Sequence, residues 1–341
     1  MALISKKKKI FPVSTGLAKY LAANGRSLPI PITYQDLTRF DNAIPLYDAD
    51  NHDTLWETIF FPQDDMKHIY YGLKTIYAIL KADGDLSVME HLYVDRVDAC
   101  TFGNTYPFRV RIVNRINDNF DYFYIKKADA SRIYGLELEH LLSPNRMSYL
   151  VNDTTLIEEH IPGIPGDQFI KNYMNDPKFN RTRLAKEFVK FTERCFVRLL
   201  GDMHSSNFVV DITPDFEEIH YRIKSIDFDQ QSYEGRKAVY MPQYFKQNNP
   251  IIALGLDLMT PETVKQYQKE ERSLIFNRIK ASSFNLGGLM KNMRKDVLSL
   301  PENVSNLKAE LAQHYKHKDF ERCESMGDIV ATSLQYLVDN H

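Results

Sequence analysis

The 341-residue chain predicts an α+β protein of two lobes, a small antiparallel-sheet lobe and a larger, mostly helical one. Three observations predict it. Residues 89–127 are dense in Val, Ile, Tyr and Phe and alternate with the period of a half-buried strand. Pro162-Gly163-Ile164-Pro165-Gly166 then punctuates the chain. Beyond that break, apolar residues recur mostly at helical spacing.

The opening MALISKKKKIF has a basic run, Lys6 to Lys9, with no apolar stretch after it. It reads as a solvated terminus rather than a signal peptide. Residues 1–60 mix Pro29, Pro31 and Pro45 with Asp and Asn clusters, and read as short elements joined by loops. From Pro62 to Leu86 the residues Met66, Ile69, Leu73, Ile76 and Leu80 share a helical stripe, with Asp83-Gly84-Asp85 as its stop. Strands follow at Phe108–Val113 and Tyr122–Ile125, around a turn at Asn117-Asp118-Asn119. A helix spans Ser131 to Leu142 and ends at Ser143-Pro144. Met147–Val151 and Thr154–Ile161 read as two more strands around Asn152-Asp153. Arg181–Leu200 carries Leu184, Phe188, Phe191, Cys195 and Leu199 on one face. Thr260-Pro261-Glu262 is a helix start, Thr as cap and Pro in the first turn. The expected division is 1–88 as an extension packing on the small lobe, 89–162 as that lobe, and 163–341 as the helical lobe.

Charged residues make up 26% and the net charge is −2, which gives no global field for nucleic acid. Three scattered cysteines, Cys100, Cys195 and Cys323, lack metal-ligand spacing and suit a reducing compartment. No apolar run approaches the ~18 residues of a membrane span. The expectation is a cytoplasmic protein with no integral membrane segment.

The chemistry concentrates in Gly201-Asp202-Met203-His204-Ser205-Ser206-Asn207 and Ile226-Asp227-Phe228-Asp229. An Asp and an Asn five residues apart share one tight loop, and a second Asp arrives from a nearby hairpin. One carboxylate can accept a hydroxyl proton while the amide oxygen and the other carboxylate hold a divalent ion against phosphates. Phosphoryl transfer needs this set, since positioning and charge neutralisation carry most of its catalysis.

These two motifs resemble those of the kinase-like phosphotransferases of the aminoglycoside phosphotransferase and choline kinase group. Their loop reads roughly H-G-D-x-H-x-x-N and their metal strand I-D-[WF]-[DE]. Thr155 to Gly163 is similar to the group's last small-lobe strand and hinge. The resemblance covers about 90–300 and is specific at the two motifs. It implies a two-lobed protein-kinase-like fold, ATP and Mg2+ as cofactors, and a small-molecule hydroxyl acceptor. Asp202 would be the base and His204 a loop-bracing partner. Asn207 and Asp227 would be metal ligands, with Asp229 a second ligand or a structural acceptor. Lys126, preferred over Lys127, would steady the nucleotide's phosphates with Glu137, preferred over Glu139. The adenine would lie against the backbone of Glu159, His160 and Ile161.

Two departures stand out. The expected phosphate-covering loop, Cys100 to Thr105, has the single glycine Gly103, leaving Asn104 and Thr105 as stand-ins. Leu200 replaces the histidine before Gly-Asp, which implies a packing change. The acidic Asp257, Glu270 and Glu271 read as helix surface. A lipid-linked sugar or a protein hydroxyl remains an alternative acceptor, and a non-catalytic kinase-like binding module an alternative role.

Overall fold

The computed structural model describes residues 8–341 apart from 83, 102, 104, 177–178 and 215–218. The chain divides into two compact units. A sheet unit holds 12–129 and 147–160, and a helical unit holds 8–11, 130–146 and 161–341. The α+β class follows directly: one unit is built on an antiparallel sheet and the other mostly on helices.

In the sheet unit, α1 (Thr15–Ala23) and α2 (Tyr34–Leu37) precede β1 (Asn42–Tyr47), β2 (Asp53–Phe60) and α3 (Gln63–Lys81). Then come β3 (Leu92–Ala99), β4 (Phe108–Asn114) and β5 (Phe120–Lys127). The chain leaves for α4 (Ala130–Leu142) of the helical unit, and returns with β6 (Tyr149–Asn152) and β7 (Thr155–Glu159). The seven strands order β1-β2-β3-β4-β5-β7-β6, every pair antiparallel.

Strand alternation gives this sheet two distinct faces. Ile59, Val97, Val110, Phe123, Ile125 and Ile157 form a core with Ile69, Leu73 and Ile76 of α3. Each fully buried aliphatic or aromatic side chain of this kind contributes about 1.5–3 kcal/mol. The intervening residues place Trp56, Arg96, Asp98, Arg109, Tyr122, Tyr124 and Lys126 on the opposite face.

The β1–β2 pair lies where loops were expected. Asn42 and Pro45 weigh against a strand, but β1 is the sheet's edge, where a missing Pro N–H is tolerated. Helix α3 ends at Lys81, just before the expected stop, and a separate 3-10 turn covers Leu86–His91. Asp83 of the expected stop lies outside the described residues. Met66 is exposed, so the buried stripe starts at Ile69.

The helical unit continues with β8 (Ile164–Pro165), α5 (Gly166–Asn172), α6 (Arg181–Arg198), β9 (Phe208–Pro214) and β10 (Ile219–Ser225). Strands β8, β9 and β10 form a small antiparallel sheet. Next come α7 (Asn249–Leu258), α8 (Pro261–Ala281), α9 (Ser283–Met293), α10 (Pro301–Tyr315) and α11 (Met326–Asp339). The Asn180 side chain caps α6, and Leu184, Phe188, Phe191 and Cys195 are buried along it. Thr260 accepts the Thr263 N–H at the start of α8, with Pro261 in the first turn. All of α4 except His140 is buried.

Two surface assignments are corrected. Lys8 is only 5% exposed, its ammonium 5.8 Å from the centre of the Tyr233 ring. The long apolar stem permits this burial, and the ring face attracts the charge. Lys6 and Lys7 lie outside the described residues, and Lys9 is exposed. Glu271 is buried and ion-paired to Arg194 at 3.2 Å, because α8 packs that face on α6.

Candidate active site

Helix α6 delivers the chain into the loop that carries Asp202 and Asn207. It ends at Leu199 in the left-handed conformation, φ 55°. Leu200, fully buried, bridges to Gln231. Gly201 donates its N–H to the Gln230 carbonyl at 3.1 Å, and a Cβ here would lie 2.9 Å from a Val239 methyl. Asp202 is itself left-handed at φ 62°, a conformation Asp tolerates better than most residues. Its N–H donates to the Val239 carbonyl at 3.1 Å.

The loop then folds on itself. The His204 N–H donates to Asp202 O at 2.9 Å, and the Asn207 N–H to His204 O at 2.9 Å. Asn207 Nδ2 donates to the same Asp202 carbonyl at 2.8 Å. That bond fixes the amide's orientation and turns Oδ1 away as an acceptor. Asn248 Nδ2 holds the next carbonyl, Met203 O, at 2.9 Å. At the end of β10 the Ile226 N–H donates to Asn207 O at 3.0 Å, which brings Asp227 to the loop. Asp227 Oδ1 accepts the Asp229 N–H at 3.1 Å.

Burial, reinforced by the charges of Asp227, Glu234 and Asp229, pushes the Asp202 carboxyl up from 3.8 to about 7. A carboxyl with that affinity can take a proton near neutral pH. Burial also lowers the His204 imidazole below its ordinary value, against the pull of Asp227 and Asp167. His204 Nδ1 accepts the Ser206 N–H at 3.3 Å, so the neutral ring carries its proton on Nε2. Nε2 lies 4.0 Å from Asp202 Oδ1, beyond hydrogen-bonding distance. This geometry suits a bracing role better than a proton relay.

The Asp pair has a partner that sequence reasoning missed. Arg132 Nη1 lies 2.6 Å from Asp227 Oδ1 and 2.8 Å from Asp229 Oδ1. Its signal was present: Arg132 is the sole Lys or Arg in a helix that is otherwise largely apolar. A guanidinium buried to 1% exposure must find carboxylates. The neighbouring Ser131 donates its hydroxyl to Gln231 O at 2.5 Å. Further along the same helix, Glu139 is committed to Arg198, with Ser143 and Asn145 as additional donors. Burial alone would raise Glu139, but Arg198 and Ser143 outweigh it and hold the carboxyl below its ordinary value. Glu137 is buried on α4 at 2% exposure.

The remaining candidates belong mostly to the sheet unit. Lys126 Nζ lies 2.8 Å from Glu158 Oε2, a buried pair on adjacent strands β5 and β7. Glu158 had not been singled out from the sequence. Lys127 is exposed. Opposite Tyr124 on the neighbouring strand, the Arg109 guanidinium lies 4.5 Å from the Trp56 ring and 5.2 Å from Tyr122, paired to Asp98 at 2.8 Å. The Glu159 N–H donates to Ser148 O at 3.1 Å, and the His160 N–H to Tyr122 O at 3.3 Å. The Glu159 carboxylate meets Lys81 at 3.2 Å, and His160 Nδ1 lies 3.3 Å from the Tyr124 hydroxyl. Ile161 begins the last segment of the helical unit. Thr105 is buried, and Asn104 lies outside the described residues.

No family model and no curated protein matches the chain. Among solved structures, the autoinhibited serine kinase domain of the giant muscle protein titin is similar to it, with 13% identity and a TM-score of 0.28. That match covers 72% of this chain and 88% of the other. A structure of titin kinase and its flanking domains matches 74% of this chain and 47% of its own, with 10% identity and a TM-score of 0.27.

Proposed function

We propose that the protein is a kinase-like phosphotransferase that moves the γ-phosphate of ATP to a hydroxyl of a small molecule. The observation that carries this is the Asp202–Asn207 loop. One side-chain bond from Asn207 to the Asp202 carbonyl locks both residues in a single turn, beside a carboxyl poised near neutrality.

The donor set fits magnesium. Asn207 offers an amide oxygen, and Asp227 and Asp229 offer carboxylates, the hard ligands this ion takes. Bound there, magnesium would neutralise phosphate charge during transfer. The protein's own groups do the rest. Asp202 accepts the acceptor hydroxyl's proton on a carboxylate oxygen, and His204 braces the turn through Ser206. In the sheet unit, Lys126 and Arg109 lie on one face, each paired to a carboxylate, Glu158 and Asp98.

The test is thermal unfolding of wild type and Asp227→Ala with and without millimolar ATP and magnesium. A ligand at about a hundred times its dissociation constant adds roughly 2.7 kcal/mol. Wild type should gain several degrees and the variant much less. Asp202→Asn should keep most of that gain while losing phosphate transfer. No magnesium-dependent gain in wild type would overturn the assignment.

A second possibility, a non-catalytic binding module, has one observation in its favour. Arg132 already neutralises the two carboxylates that a metal would need. Retention of nucleotide binding without transfer to any hydroxyl acceptor would favour it.

A further inference from the structure

A single nitrogen, Arg132 Nη1, lies within 2.8 Å of one oxygen from each of two carboxylates, Asp227 and Asp229. It stands where a cation shared by both would stand. We infer that Arg132 is a built-in competitor for the metal: its guanidinium fills the carboxylate pair, and a divalent ion loads only by displacing it. The inference rests on the phosphotransferase assignment, because it takes Asp227 and Asp229 as metal ligands.

Three features make the competitor a device rather than a passing surface contact. First, Arg132 is 1% exposed and its guanidinium keeps its charge at any working pH, so it cannot retire by deprotonation. Second, α4 is fastened to the same loop by an adjacent residue, since Ser131 donates to Gln231 O. Close packing reinforces this, for a Cβ at Gly135 would lie 3.1–3.2 Å from the Gln231 and Phe228 side chains. The guanidinium is therefore delivered by a fixed backbone. Third, the surroundings are acidic: the Asp202 carboxyl feels the charges of Asp227, Glu234 and Asp229. Two carboxylates this close favour a cation between them, and the metal and Arg132 are the alternatives. Magnesium affinity would then rise when a phosphate offers the displaced guanidinium a new partner, which couples metal loading to nucleotide.

The experiment measures manganese(II) binding without nucleotide, from loss of the free ion's electron-spin-resonance signal. The proteins are wild type, Arg132→Met, Arg132→Lys and Asp227→Ala. Arg132→Met, unbranched and uncharged, should bind manganese at least tenfold more tightly than wild type. Arg132→Lys, which keeps a cation at the end of its side chain, should gain less. Manganese should also raise the melting temperature of Arg132→Met more than that of wild type, because repulsion between the bared carboxylates is relieved only in the variant. Equal or weaker binding in folded Arg132→Met overturns the competition and leaves the metal site standing. Should Arg132→Met not fold, wild-type or weaker affinity in Arg132→Lys overturns it instead. Absence of binding in all four proteins, persisting when ATP is added to wild type, overturns both the competition and the metal assignment.

Discussion

Asp202→Asn should stabilise the fold, and increasingly so as pH rises. The folded chain holds the Asp202 carboxyl at about 7 against an ordinary 3.8, with burial as the main cause and the Asp227, Glu234 and Asp229 charges adding to it. A raised carboxyl pKa means the folded state binds the proton more tightly than the unfolded chain does. Stability from this group is intact below pH 3.8, falls between 3.8 and about 7, and is flat above. At 1.36 kcal/mol per tenfold change in proton affinity, the charged form costs the folded chain about 4 kcal/mol in full, and about 2 kcal/mol of that accrues between pH 5.5 and 8.5. The amide of Asn occupies the same space without a charge, so the advantage of the variant should widen by about 2 kcal/mol over that interval. Urea unfolding with a chelator present, at pH 5.5, 7 and 8.5, reads the difference directly. A gap that stays constant with pH, or a wild type more stable at pH 8.5, would refute the electrostatic account of this loop.

Arg198→Met should destabilise by about 3–5 kcal/mol, since it strands the buried Glu139 carboxylate. The double variant with Glu139→Gln should recover most of that loss in the same urea assay. Gly166→Ala should cost about 1–3 kcal/mol, because its Cβ would lie 2.4 Å from the Phe208 ring and 2.5 Å from Ser205 O. A melting temperature unchanged by that substitution would show that β9 and the loop can shift to admit a methyl group.

Much of the fold was legible because periodicity is a local signal. α3, α4, α6 and the start of α8 lie where apolar spacing and capping residues put them. β1 was not legible, since its residues are mostly exposed and its pairing is decided by β2 rather than by its own composition. In the candidate site, the short-range spacing of Asp202, Asn207 and Asp227 was visible in the chain. The partners were not. Arg132 meets Asp227 across 95 residues, Arg198 meets Glu139 across 59, and Lys126 meets Glu158 across 32. Such pairs follow from the packing of elements, which no local pattern encodes. What a sequence does offer is the constraint that a charge in an apolar helix needs a counter-charge. That constraint singles out Arg132 and Glu139 without naming their partners.

The discontinuity of the helical unit bears on how the chain is made. Residues 8–11 and helix α4 belong to that unit, yet the ribosome delivers them before residues 161–341, which supply most of it. The Ala130 N–H to Phe11 O bond can form early, at 2.9 Å in the finished fold, but the apolar faces of α4 must then wait for their burial. Sheet strands emerge on either side of α4 in the meantime, so the nascent polypeptide carries an unsatisfied helix between two segments able to pair. Synthesis that stalls before α6 would leave Arg132 and Glu139 without Asp227, Asp229 and Arg198. The risk of misassembly is concentrated in that interval, and slow translation there would be a hazard for this chain.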